Sequence, residues 1–234
     1  MQIYLNLEGT VLDVSDRYYA VYRDLLEQAG YLPFDKNTYW SLVRVGVDES
    51  VIIERTCDSD YIDDYRYDRA RLIEDPAYLM LDNLQPDTLE KFRAWQHHHS
   101  LVLTTFRKNY TALMAQMEML GLRDYLSDIL VAGAGGDGWE IKKQRIQESL
   151  ESSANAFVIA DNECDILAAH ALEIPSIAIC AGRRTRSTLK QLAPDLIVKK
   201  LEDLSLEDWP ALFGQEALRQ ELYRMNTGMP TNHI

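Results

Sequence analysis

Ile3–Leu7, Leu101–Thr105, Phe157–Ala160 and Ile177–Cys180 are short runs that are apolar on both faces. A strand covered on only one side alternates apolar and polar residues. Runs without that alternation suit parallel strands buried between two layers of helix. Ile129–Ala132 is a weaker fifth run, and Leu196–Val198 is a candidate edge strand. Helical patterns fall between them, over Pro86–His98, Tyr110–Leu120, Lys142–Glu151 and Cys164–Ala171. Strand–helix alternation of this kind predicts an α/β fold: a Rossmann-like, doubly wound parallel sheet built from right-handed crossovers.

Residues 15–82 break the rhythm. They hold no convincing strand but carry helical patterns at Asp16–Ala29, Lys36–Val45, Ser50–Arg55 and Tyr61–Tyr78, punctuated by Gly30, Pro33 and Gly46. The organisation expected is an α/β core from 1–14 and 83–210, an inserted all-helical cap over 15–82, and a C-terminal helix and tail over 211–234. The tyrosines and arginines of 61–71 read as one face of an amphipathic helix whose arginines lay their stems on apolar surface. His97, His98 and His99 are consecutive, so one helical turn cannot aim them at a single metal; a helix C-terminus accounts for them. The glycines of AGAGGDG (132–138) fit neither phosphate-loop pattern and read as a connection.

A net charge of −13 repels a phosphate backbone and an anionic membrane, so neither nucleic acid nor membrane is an expected partner. Arg183, Arg184 and Arg186 form the one compact basic patch. Cys57, Cys164 and Cys180 are widely spaced and odd in number, which fits buried thiols in a reducing compartment. The opening MQIYLNLEGT lacks the basic start of a signal peptide, and the cytoplasm is the expected location. The oligomeric state stays open.

Ligands of an open parallel sheet gather at the carboxyl ends of its strands, at the topological switch. The residues expected there are Asn6, Glu8, Gly9 and Thr10 after the first strand, and Thr104 and Thr105 after the second. Lys142 and Lys143 stand on a helix start, Asp161 ends a further strand, and Asp165 lies one turn beyond it. Carboxylates with a hydroxyl and an ammonium suit a hard divalent cation and a phosphoryl group.

These residues stand in an order that resembles the haloacid dehalogenase superfamily, in particular its phosphoglycolate-phosphatase-like members with a helical cap. YLNLEGTVLD is similar to the first motif, hhhDxDGTLhD. LVLTTFRKN resembles the second, whose hydroxyl contacts the phosphoryl group, at Thr105 or in the alternative register Thr104. GWEIKKQRI resembles the third, at Lys142 rather than Lys143. AFVIADNECDILAAHALEIPSIAI resembles the fourth, at Asp161 and Asp165, and GRRTRSTLKQLAPD resembles the segment that follows it. The resemblance implies a phosphatase with Mg²⁺ held near Asn6, Glu8, Asp161 and Asp165. Gly9, Thr105 and Lys142 would contact a small phosphorylated metabolite.

Two departures fall inside the first motif. The nucleophilic aspartate is Asn6, a neutral amide without a carboxylate to attack phosphorus. The acid/base aspartate is Glu8, which reaches one methylene further. The expectation is a phosphatase by lineage with lost or strongly reduced phosphoryl transfer and a weak Mg²⁺ and phosphate pocket. An active phosphatase of small esters, in which Glu8 directs water, and a non-catalytic interaction protein are the alternatives.

Overall fold

The computed structural model describes residues 1–133 and 137–206. Met1–Glu202 forms one compact unit; a second, Asp203–Ile234, is described only as far as Leu206. The C-terminal helix expected over 211–234 and the centre of the glycine-rich connection therefore lie outside the described residues.

Six strands form one parallel sheet. They are β1 (Gln2–Asn6), β4 (Ser100–Thr105), β5 (Asp128–Val131), β6 (Ala156–Ala160), β7 (Ser176–Ile179) and β8 (Leu196–Val198), in the order β5-β4-β1-β6-β7-β8. Every residue of β1 and β6 is buried, as continuous apolar runs require when helices cover both faces. Among the described residues, the α-helices following residue 85 are α6 (Thr88–Trp95), α7 (Tyr110–Met119), α8 (Gly138–Ser149), α9 (Glu163–Ala171) and α10 (Arg186–Lys190). This is the Rossmann-like α/β architecture the alternation predicts. β1 has β4 on one side and β6 on the other, so the switch crevice opens at its carboxyl end.

Residues 15–82 hold five helices: α1 (Ser15–Gln28), α2 (Lys36–Arg44), α3 (Glu49–Ile53), α4 (Ile62–Leu72) and α5 (Pro76–Leu79). Between their ends the chain pairs β2 (Leu12–Asp13) antiparallel with β3 (Asn83–Leu84), a two-residue ladder that brings the exit and return of the insert together. The stretch Tyr61–Tyr78, expected as one helix, is two. Asp75 accepts a hydrogen bond from the Ala77 N–H and Pro76 opens the next helix, a cap and a first-turn proline that start α5 afresh. The insert has its own apolar centre, formed by Val21, Tyr22, Leu25, Leu26, Tyr39, Ile52, Ile53 and Tyr65, with the Tyr22 and Tyr39 rings stacked at 4.4 Å. The tyrosine and arginine face of α4 is largely self-satisfied. Tyr65 and Arg69 bind Glu49, Tyr61 donates to the Leu25 carbonyl, and Arg66 and Arg71 pair with Asp63 and Asp68. His97–His99 form the turn after α6, and among the described residues no metal cluster includes them.

Candidate functional site

β1 ends on Asn6, opposite Thr104 of β4 in the parallel register. The chain then turns tightly, with Val11 and Leu12 N–H both donating to the Leu7 carbonyl. Gly9 has φ +93°, and a Cβ there would lie 1.8 Å from Asp161 Oδ2. Only glycine lets the first turn approach the end of β6 so closely. Gly182 lies against the same carboxylate from the loop after β7, where a Cβ would come within 2.3 Å of it. Asp161 is thereby enclosed at a β6 end that has no solvent exposure.

The structure brings Asn6, Thr104, Lys142, Asp161 and Asp165 into one buried cluster. Lys142 projects from α8 and donates to Asn6 Oδ1 (3.2 Å), Thr104 Oγ1 (3.1 Å) and both oxygens of Asp165 (2.8 and 3.1 Å). Its ammonium also lies 4.9 Å from the centre of the Phe106 ring. Lys143 stays outside the cluster and only half-buried. Asn6 Nδ2 donates to the Glu8 backbone carbonyl (2.6 Å) and to Asp161 Oδ1 (2.9 Å). That amide orientation is the one the neighbours allow, since the reverse would turn an NH₂ toward an ammonium and a carbonyl toward two oxygens.

Thr105 faces the other way. Its hydroxyl donates to Glu8 Oε2 at 3.0 Å, and Arg107 Nε donates to Glu8 Oε1. Arg107 also reaches Asp82 (3.2 Å), which accepts from Arg17 Nε (2.8 Å) and Gln116 Nε2 (3.0 Å). Arg17 comes within 3.8 Å of Glu8. Burial alone would raise the Glu8 carboxyl; the guanidiniums of Arg107, Arg17 and Arg183 outweigh it and hold its pKa near 2. For Asp161 and Asp82 burial wins, and both are raised against the arginines beside them.

Arg17, Asp82, Arg107 and Arg183 were not among the residues singled out as site groups from sequence. Arg107 and Arg183 lie inside the quoted LVLTTFRKN and GRRTRSTLKQLAPD segments without being marked by them, and Arg17 and Asp82 lie in no motif; the four meet because Arg17 and Arg107 reach both Glu8 and Asp82 while Arg183 reaches Asp161. The basic patch is likewise absorbed. Arg183 donates its backbone N–H to Asp161 Oδ2 (2.6 Å), Arg184 binds Glu163 and the Val43 carbonyl, and Arg186 reaches the Ile197 carbonyl.

The Mg²⁺ set expected at Asn6, Glu8, Asp161 and Asp165 does not form in this arrangement. Asp165 gives its oxygens to Lys142, Thr104 and Asn162, and the Glu8 carboxylate is held by Thr105 and Arg107. The two oxygens left, Glu8 O and Asp161 Oδ1, both face the Asn6 amide N–H₂. Among the described residues no group of three or more His, Cys, Asp or Glu is arranged to hold a metal ion.

Comparison with known proteins agrees with this layout. Residues 142–204 match the family model described as HAD-hydrolase-like. A haloacid dehalogenase-like family hydrolase from Streptococcus pneumoniae has a similar structure (TM-score 0.71, 19% identity, 85% of this chain and 93% of that one). So does a predicted phosphatase from Clostridium acetobutylicum (TM-score 0.67, 18%, 86% and 95%). A third is a predicted phosphoglycolate phosphatase from Haemophilus somnus (TM-score 0.63, 16%, 85% and 93%). No curated protein matches the sequence. The fold is therefore the one seen in haloacid dehalogenase-like structures, and the matched segment carries Lys142, Asp161 and Asp165. Its structural neighbours include proteins described as phosphatases, phosphoglycolate phosphatases among them.

Proposed function

We propose that this chain is a phosphatase by descent in which phosphoryl transfer is lost or strongly reduced. The observation that carries the reading is Asn6. At the position of the aspartyl nucleophile stands a buried carboxamide, bound at one end by Lys142 and at the other by Glu8 O and Asp161. A carboxamide oxygen is a poor nucleophile toward phosphorus, and this one is already committed to an ammonium. Glu8, at the acid/base position, accepts from Arg107 and Thr105 and is held ionised far below neutral pH. It has no proton to give a leaving group at neutral pH.

What the chain keeps is the frame of a Mg²⁺ and phosphate pocket under a helical cap: Gly9, Thr105, Lys142, Asp161 and Asp165. Its ancestral substrates would be small phosphorylated metabolites of the phosphoglycolate kind, and its compartment the cytoplasm. Among the described residues no helix is long and apolar enough to cross a membrane.

The test is Mg²⁺-supported hydrolysis of a panel of small phosphate esters by wild type, Asn6→Asp and Asn6→Asp/Glu8→Asp. Wild type should stay at background and accumulate no phospho-enzyme, and the variants should gain turnover in that order. The two changes should combine non-additively, because nucleophile and proton donor act in one step. Robust wild-type turnover that survives Asn6→Ala would sink the proposal.

A further inference from the structure

We infer that both ligand positions of this site are filled from within: the Asn6 amide N–H₂ stands in the cation position and the Glu8 carboxylate in the oxyanion position. The folded protein then takes up neither Mg²⁺ nor phosphate. The inference deepens the proposed function and rests on its assignment of the positions.

The cation position is bounded by Glu8 O and Asp161 Oδ1, at 2.6 and 2.9 Å from Asn6 Nδ2. One NH₂ has two hydrogens and here meets two acceptors, so it satisfies both. Mg²⁺ binds oxygens at about 2.0–2.1 Å in a near-octahedral shell, and an amide nitrogen in the same space excludes it. Turning the amide over would not help, because it would aim the NH₂ at Lys142 Nζ.

The oxyanion position is marked by Thr105 and by the guanidiniums beside it. Thr105 Oγ1 and Arg107 Nε hold one Glu8 oxygen each, as they would hold two oxygens of a bound anion. The extra methylene that misplaces Glu8 as a proton donor is what carries its carboxylate to those donors.

Charge supports the same reading. Glu8, Asp82, Asp161 and Asp165 are four buried carboxylates, and Arg17, Arg107, Arg183 and Lys142 are the four cations that face them. The cluster is balanced as it stands. A divalent cation would leave two charges uncompensated in a buried site, where an unpaired charge is costly. Arg17 Nη2 and Arg107 Nη1 are buried without a hydrogen-bond partner, so donors for an oxyanion remain once Glu8 is shortened.

The experiment measures thermal unfolding and calorimetric binding with MgCl₂ and, separately, inorganic phosphate. It compares wild type, Asn6→Asp, Glu8→Asp and Glu8→Ala. Wild type should respond to neither ligand. Asn6→Asp should melt lower without Mg²⁺ and rise by roughly 5–10 °C at a Mg²⁺ concentration about 100 times its Kd. Glu8→Asp should gain a comparable response to phosphate. A saturable Mg²⁺ response in wild type, or a folded Asn6→Asp without one, overturns the cation assignment. Phosphate binding by wild type, or none by either folded Glu8 variant, overturns the anion assignment. If neither Glu8 variant folds alone, refolding in phosphate reads the same point: recovery supports it and no recovery overturns it. Wild type that binds Mg²⁺ but hydrolyses nothing would remove this inference and leave the proposed function standing. Mg²⁺-dependent wild-type turnover would remove both.

Discussion

Asp82→Asn removes one charge from the centre of the network that joins the helical insert to the sheet. The Asp82 side chain is fully buried and accepts from Arg17 on α1, from Arg107 after β4 and from Gln116 on α7. Arg17 extends the same tie by donating to the Ile73 carbonyl at 2.7 Å. Asparagine keeps the volume and one acceptor, but it leaves two buried guanidiniums facing Glu8 alone and turns an NH₂ toward donors. Breaking one partner out of a buried ion pair costs about 3–5 kcal/mol. The remaining acceptor puts this change at the low end, about 3 kcal/mol. For a domain of this size that is a fall in Tm of roughly 6–12 °C. Urea unfolding followed by circular dichroism measures the loss, with Asp68→Asn as the control. Asp68 and Arg71 form an exposed pair at 3.1 Å, and its removal should cost no more than about 0.5 kcal/mol. A loss at Asp82 below about 1 kcal/mol, or one equal to the Asp68 control, would refute the view that this network clamps the insert to the core.

Glu8 carries a pH signature. Its carboxyl is depressed from 4.5 to about 2, so its stabilisation is present above the unfolded value and is lost as pH falls through the folded one. The stability gap between wild type and Glu8→Gln should therefore shrink by about 3 kcal/mol between about pH 6 and about pH 2; a gap flat with pH would contradict the assignment. Gly9→Ala should destabilise by more than about 3 kcal/mol, because its methyl would meet the Asp161 carboxylate. Gly30→Ala, with a similar φ of +82° and open space around it, should cost only about 1–2 kcal/mol; equal losses in unfolding titrations would count against the close approach. Glu173 is exposed with φ +55°, so Glu173→Gly should raise stability by about 1 kcal/mol, and an unchanged urea midpoint would show no strain there.

The architecture is legible in the sequence because it depends on local pattern. Continuous apolar runs mark strands buried on both faces, and their alternation with helical stretches leaves few topologies other than a parallel sheet with right-handed crossovers. Strand order follows less directly, but the switch beside β1 is where the strand-end residues Asn6, Thr104, Thr105 and Asp161 had to meet. The identity of Asn6 and Glu8 also needed no structure, since a missing carboxylate is visible as a letter. The break at Asp75–Pro76 was readable in principle, because a capping acid followed by proline is a local signal.

The partners of those residues were decided only by tertiary structure. Arg17, Asp82, Arg107 and Arg183 lie far apart in the chain and carry no shared spacing, yet Arg17 and Arg107 converge on Glu8 and Asp82, and Arg183 on Asp161. Thr104 and Thr105 are adjacent in sequence, but successive strand side chains point to opposite faces, so one joins Lys142 and Asp165 and the other Glu8. A sequence states which groups exist; it does not state that an amide nitrogen will settle between two oxygens 2.6 and 2.9 Å away. Periodicity records the short-range preferences of the backbone. Buried polar pairing is set by the requirement that every donor and charge removed from water find a partner, and which partners are in reach is a property of the folded packing alone.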